Sequence, residues 1–218
     1  MKILIFLASH RQLDEFKYFN IFLEKTKELK TMCDLYIHIN NPRISQRVLN
    51  YYKEFKIKNK KIYITTKNSG YEYGGIEAIN ESYKMGMFNN YDYVIHMHPD
   101  VFITEETELI KLLKDNLNNN KVFLVTKYFP WKTFEHYATD FFIFKPKLLK
   151  NNIFDDENLY KFKPDKVETF FYNILIKNNL DCLLVKRFND DHWYPRRIDN
   201  LKLWHEHDLN KIKKFLHL

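Results

Sequence analysis

Short, almost uninterrupted apolar runs separated by amphipathic stretches constrain this chain more than any other feature. Ile3 to Ala8 reads ILIFLA and Val122 to Val125 reads VFLV. A strand with one wet face alternates apolar and polar residues, whereas runs like these suit strands covered on both faces, as in a mainly parallel sheet. The pattern predicts strands over Lys2–Ala8, Leu35–Asn40, Lys61–Thr66, Tyr91–Met97, Val122–Lys127 and Phe141–Phe144. Between the first two, Asp14–Leu29 sets Phe16, Phe19, Ile21, Phe22, Leu23 and Leu29 among charges, and Arg43–Phe55 has a similar rhythm. Both read as amphipathic crossover helices. Further helices are expected over Ile76–Met87, Thr104–Leu117, Lys166–Asn178 and Asn210–Leu218. Strands and helices in alternation imply an α/β fold of three layers, a mainly parallel central sheet sandwiched by helices, with right-handed crossovers. Ligands in such sheets sit beyond the carboxyl ends of the strands. With 218 residues, no internal repeat and no linker, the expectation is a single domain over residues 1–218.

Composition narrows the function. Hydrophobic residues make up 45% and charged residues 29%, enough to bury a core and keep it soluble, which excludes a disordered or fibrous chain. The net charge of +7 favours anionic partners. Nucleic acid is not the expected one, because no helix carries a continuous Lys/Arg face and no aromatic RNA-binding strand is present. Cys33 and Cys182 lie far apart with no CxxC, which argues against a metal-thiolate site or disulfide scaffold and fits a reducing cytosol. The Ile3–Ala8 run is far shorter than the roughly 20 residues that span a bilayer. His10, Arg11 and Gln12 follow it where a signal peptide would carry its cleavage site. A cytoplasmic protein is expected. Its C-terminal tail alternates Lys211, Lys213 and Lys214 with Ile212, Phe215 and Leu216, a pattern suited to peripheral contact with a membrane.

All four glycines fall between Gly70 and Gly86, although average usage of about 7% would scatter some fifteen along the chain. Glycine is needed where the backbone takes positive φ or closely approaches another group, so Asn68 to Gly75 reads as a tight loop after the third strand. Feeding a helix N-terminus, such a loop presents backbone N–H groups to a phosphate or to sugar hydroxyls. It matches neither a P-loop nor a GxGxxG fingerprint.

His96, His98 and Asp100 follow in the next strand and share one face by the two-residue period. Pro99 cannot donate to a central ladder, so pairing ends near His98, and Asp100 falls in the loop at the ligand edge of the sheet. There its carboxylate suits a divalent cation that neutralises a diphosphate; its alternatives are a turn former or an N-cap of the following helix. His96 reads first as a core histidine. Trp204-His205-Glu206-His207-Asp208 sets two imidazoles two residues apart, one of which could supply a further metal ligand; surface histidines before a terminal helix are the alternative. Asp140 and Glu168 adjoin apolar stretches where a raised pKa would make a general base, and Asp190 or Asp191 is a further candidate; for each the alternative is an N-cap or ion-pair role.

Taken together, Asn68-Ser69-Gly70, Gly74-Gly75, Asn80 and then Ile95-His96-Met97-His98-Pro99-Asp100-Val101 resemble the glycine loop, helix and D-x-D-like strand end of nucleotide-sugar glycosyltransferases of the GT-A fold. The likeness is to the family-2, rhamnosyltransferase-like type, and it runs from residue 2 to about residue 145. It implies a Rossmann-like GT-A fold with Ala8, Ser9, His10 and Asn40 around the base and ribose of the donor. Asn68, Gly70, Gly74 and Gly75 would flank the nucleotide and its sugar. Asp100 matches the metal-binding last acid of the motif, for Mn²⁺ or Mg²⁺, and His98 stands where the first acid is usual. His205 or His207 would supply a further metal ligand. Asp140 lies in the strand that borders the donor sugar, and Glu168 resembles the base of inverting members. The partners implied are a UDP, GDP or dTDP sugar and a saccharide or lipid-linked acceptor.

Two enzyme alternatives stand beside this. His96-x-His98-x-Asp100 resembles the HxHxDH motif of metallohydrolases, with Val101 where its last histidine belongs. A sugar nucleotidyltransferase would share the layout, but its glycine-rich loop is missing after the first strand. A non-catalytic module that binds a nucleotide sugar or a membrane surface is the alternative from another class.

Overall fold

A computed structural model describes residues 1–9, 14–128, 136–149, 174, 178–180, 182–186, 196–198, 203–206 and 208–218. In chain order its elements are β1 (Ile3–Ser9), α1 (Asp14–Lys25), α2 (Glu28–Met32), β2 (Cys33–Ile39), α3 (Gln46–Lys53), β3 (Lys60–Ile64), α4 (Tyr71–Lys84), β4 (Tyr93–Met97), β5 (Val101–Ile103), α5 (Glu106–Asp115), β6 (Phe123–Tyr128), β7 (His136–Phe144), β8 (Cys182–Lys186), β9 (Arg196–Ile198), β10 (Leu203–His205) and α6 (Leu209–Phe215). A seven-stranded sheet in the order β3-β2-β1-β4-β7-β6-β8 forms the centre. Six of its strands run one way and only β7 runs against them, between β4 and β6. A second sheet, β5-β10-β9, is small and antiparallel.

The apolar runs are uninterrupted because both faces of the sheet are covered. Ile3, Ile5 and Leu7 of β1 join Leu35, Ile37 and Ile39 of β2 in a cluster with Phe16 and Phe19 of α1, Tyr52 of α3, Leu109 of α5 and Ile212 of α6. The alternate residues Leu4 and Phe6 join Tyr36, Val94 and Phe142 under Ile76 and Ile79 of α4. The two-residue period thus divides one strand between two cores, giving the expected three layers.

Several boundaries differ from the sequence reading. The helix expected over Asp14–Leu29 is two, broken where Thr26 folds its hydroxyl back onto the Leu23 carbonyl at 2.8 Å. The start of α2 is held from far along the chain. The Glu106 carboxylate accepts from the backbone N–H groups of Lys27, Glu28 and Leu29 at 2.8, 3.0 and 3.0 Å, doing the work of an N-cap. Most of the helix expected over Lys166–Asn178 lies outside the described residues.

The C-terminal helix carries the largest change of meaning. Ile212 and Leu216 are buried in the main core, and Phe215 packs on Trp204 at 4.4 Å and on Phe102 at 5.7 Å between ring centroids. Ile212, Phe215 and Leu216 therefore pack toward the protein itself, while Lys211, Lys213 and Lys214 are exposed. No helix among the described residues is long and apolar enough to cross a membrane.

Candidate active site

Because β1 to β4 are parallel, their carboxyl ends form one edge, and the polar residues of interest gather along it. Strands lie about 4.8 Å apart, so the ends of β2 and β4, with β1 between them, are roughly 10 Å apart. Ser9 ends β1, Asn40 follows β2, Thr65 follows β3 and His98 follows β4. On the far side of β4, β7 brings Asp140 to the same level, since its carbonyl accepts the His98 N–H at 2.8 Å. The register Ala8↔His38 on one side and the continuation of Met97↔Phe141 on the other set His38, Ala8, His98 and Asp140 in one row across the sheet.

The glycine segment reaches this edge as expected, but its helix begins earlier than the sequence suggests. α4 starts at Tyr71 with Gly70 as its N-cap, so Gly74 and Gly75 lie inside the helix and not in the loop before it. Gly70 takes φ +85°, which favours glycine, and without a side chain it leaves the first turn uncapped. Gly74 is required for a different reason: a Cβ there would lie 2.0 Å from Asn40 Nδ2. Asn40 itself is buried, and its side chain is engaged with this segment rather than open to the edge.

At β4, the chain turns over Pro99 and the Val101 N–H donates to the His98 carbonyl at 3.1 Å, closing a β-turn with proline at its favoured second position. Asp100 does not cap the next helix, whose N-cap is Glu105. Nor does it lie in an exposed loop, for it is only 4% exposed. Beside it stands the second sheet, which the sequence did not reveal because strands of three residues carry no periodicity. β10 pairs with β5, and the Glu206 N–H donates to the Asp100 carbonyl at 3.2 Å. The backbone of His205 and Glu206 is thereby brought beside Asp100, with His205 paired opposite Val101. Glu206 also went unrecognised. Its buried carboxylate accepts from the Asp208 N–H at 3.1 Å and has Lys211 Nζ at 3.5 Å.

His10, Glu168, Asp191 and His207 lie outside the described residues, as does the side chain of His205. Among the described residues no three His, Cys, Asp or Glu side chains gather closely enough to hold a metal. A depression of about 520 Å³ lies at the opposite edge, where β2 and β3 begin; its carboxylate, Asp34, is taken by Tyr91 and Asn59 at 2.8 Å each, and it shares no residue with the site.

His96 belongs to the core. Its ring lies 4.6 Å from Phe142 and 5.4 Å from Phe6, and burial, reinforced by His98, pushes its pKa down to about 3. His38, also buried, meets Glu81 at 3.0 Å; burial lowers its pKa and the Glu81 carboxylate opposes the shift. His96 is therefore neutral in the folded state and takes up a proton on unfolding below about pH 6.5, so its contribution to stability is full above that pH and lost as pH falls, and the lowered pKa of His38 acts in the same direction. Between pH 6.5 and pH 5 His96 alone should cost about 2 kcal/mol. Urea unfolding at pH 7 and pH 5 checks this. His96→Phe should reduce the difference by about that amount, and an unchanged difference would refute the assignment.

No protein-family model matches the sequence, and no curated protein matches it. Solved structures do match. An active-site mutant of LgtC superposes with a TM-score of 0.58 over 99% of this chain and 95% of that one, at 10% identity. A protein from Desulfovibrio desulfuricans assigned to the nucleotide-diphospho-sugar transferases gives 0.52 over 99% and 96%, at 12% identity. The mannosyltransferase PcManGT from Pyrobaculum calidifontis, in complex with GDP-Man and Mn²⁺, gives 0.53 over 88% of this chain and 58% of that one, at 8% identity. Likeness at these identities establishes the architecture: the chain has an α/β GT-A fold.

Proposed function

We propose that this protein is a glycosyltransferase that moves a sugar from a nucleoside-diphosphate sugar to a hydroxyl of a glycan or lipid-linked saccharide. The observation that carries the reading is that the uncapped start of α4, held to the end of β2 through Asn40, and the buried Asp100 turn after β4 lie along the same edge of the sheet. The first supplies N–H groups with a helix dipole behind them, and the second a carboxylate. The GT-A fold supports it, since solved structures of that fold include a mannosyltransferase in complex with GDP-Man.

The donor set accommodates a divalent cation in part. Asp100 is a buried carboxylate at the ligand edge, and the strand pairing β5–β10 brings the backbone of His205 and Glu206 toward it, while the diphosphate itself would complete the coordination. Asp100 would hold the metal, with His98 beside it and His205 or His207 as further ligands. When bound, Mn²⁺ or Mg²⁺ would supply positive charge to the leaving diphosphate. The chain's own residues do the rest. The N–H groups of the first turn of α4 offset negative charge on the phosphates as the anomeric bond breaks. Asp140, level with His98, borders the space for the donor sugar. A carboxylate, with Glu168 and Asp191 as the candidates beside Asp140, takes the proton from the acceptor hydroxyl for attack on the opposite face, which gives inversion. The inverting course follows the family-2 likeness of the Asn68–Asn80 segment. The metallohydrolase alternative loses a ligand, because His96 is packed among aromatic rings in the core.

Titration calorimetry with UDP, GDP and dTDP, each with and without Mn²⁺, tests the proposal. One nucleotide should bind, and Mn²⁺ should tighten it. Folded protein that binds none of the three would remove the transferase reading.

A further inference from the structure

We infer that Asn40 is a positioning residue that braces the Asn68–Gly74 segment from beneath and so sets the affinity for the nucleoside diphosphate without touching it. The inference rests on the transferase reading for its ligand but not for its geometry.

Asn40 is only 3% exposed, and its amide is used at both ends. Nδ2 donates to the Gly70 carbonyl at 3.3 Å, while Oδ1 accepts from the Ser69 N–H at 3.2 Å and from Thr65 Oγ1 at 3.4 Å. Exchanging oxygen and nitrogen would point donors at a donor and an acceptor at an acceptor, so only this orientation is satisfied. Its backbone is fixed as well, with the N–H donating to the Ser9 carbonyl at 2.7 Å. Asn40 thus joins the end of β1 to the residues that launch α4.

Those residues leave little freedom. The Gly70 carbonyl accepts both Asn40 Nδ2 and the Gly74 N–H, the latter at 3.0 Å, so the same oxygen closes the first helical turn and receives the brace. The Gly70 N–H donates to Asn68 Oδ1 at 2.9 Å. Gly74 lies so close over the amide that no larger residue fits while Asn40 stands. A segment ordered in this way before the ligand arrives spares the ordering cost on binding, which is how a residue out of contact changes affinity. It also accounts for two neighbouring sequence features, the asparagine after β2 and the glycine at residue 74, as one interacting pair.

The test uses Asn40→Ala, Gly74→Ala and the double variant of the full chain. Amide hydrogen exchange is followed over residues 68–75, and binding is measured with the tightest of UDP, GDP and dTDP. Asn40→Ala should speed exchange at Ser69 and Gly74 and weaken the nucleotide at least tenfold, with a much smaller effect on the unfolding midpoint than on exchange in this segment. Gly74→Ala alone should be strongly destabilised. The double variant should recover part of that loss, because the clashing amide is gone, which gives a non-additive cycle. Unchanged exchange over 68–75 in Asn40→Ala, or additive effects in the cycle, would overturn the brace. Faster exchange with unchanged nucleotide affinity would overturn its link to binding. If the unaltered protein binds no nucleotide, the transferase proposal fails and the link to binding falls with it, while exchange and the cycle still decide the brace.

Discussion

Asp100→Asn should leave a folded protein that has lost sugar transfer by at least about a hundredfold and no longer binds nucleotide more tightly with Mn²⁺. Asparagine keeps the size of the side chain and removes its charge, and charge is what a hard cation needs. Alanine is the poorer probe. An exposed strand-end loop would let Asp100→Ala pass with little change in stability, which is what sequence alone suggests. Asp100 is instead only 4% exposed, and truncating a buried polar group typically costs about 1–3 kcal/mol. Calorimetry with and without Mn²⁺, together with a transfer assay on the Asn variant, separates the two effects. Retained metal enhancement would exclude Asp100 from the cation site.

A second large effect concerns stability alone. Lys145→Met should lower unfolding free energy by about 3 kcal/mol, on the order of 10 °C in melting temperature for a chain of this size. Lys145 sits at the end of β7 and is only 5% exposed, yet its ammonium is well supplied. It donates to the carbonyls of Asn116, Leu117 and Asn119 and to Asn119 Oδ1, the last three at 3.2, 2.7 and 2.9 Å, and it lies 5.6 Å from the centre of the Tyr93 ring. These carbonyls follow the last turn of α5, where a cation also meets the negative end of the helix dipole. Methionine fills the space but leaves the oxygens without their donor. A loss below about 0.5 kcal/mol by urea titration, within the range of ordinary surface substitutions, would show that water replaces the ammonium easily.

The parallel half of the fold was legible because burial on both faces writes itself into sequence as nearly unbroken apolar runs, such as ILIFLA in β1 and the VFLV that enters β6. The direction of β7 was not legible. TDFFIF is equally apolar whichever way it runs, and only the register Met97↔Phe141 distinguishes the two. The second sheet escaped because Val101–Ile103, Arg196–Ile198 and Leu203–His205 are each shorter than two periods of alternation. The start of α4 was misjudged for a physical reason: glycine in a helix costs about 1 kcal/mol, so Gly74 and Gly75 read as breakers. At residue 74 that cost is accepted so that Asn40 can fit. Glu106 and Glu206 were passed over as ordinary charges, since the groups they bind are backbone N–H donors that no spacing rule locates.

The position of β3 at one border of the large sheet bears on how the protein behaves at high concentration. A border strand offers unpaired backbone groups to a neighbouring molecule, and such strands can seed cross-molecular aggregation. Here the strand opens with Lys60 and Lys61, the ammonium of Lys60 is folded back onto the carbonyls of Lys53 and Phe55, and Lys61 stands exposed. A strand added there would have to accommodate the exposed Lys61 and the side chain of Lys60 folded onto those carbonyls. The lysine surplus of the chain thus includes a local deterrent to self-association, placed where the sheet would otherwise keep growing.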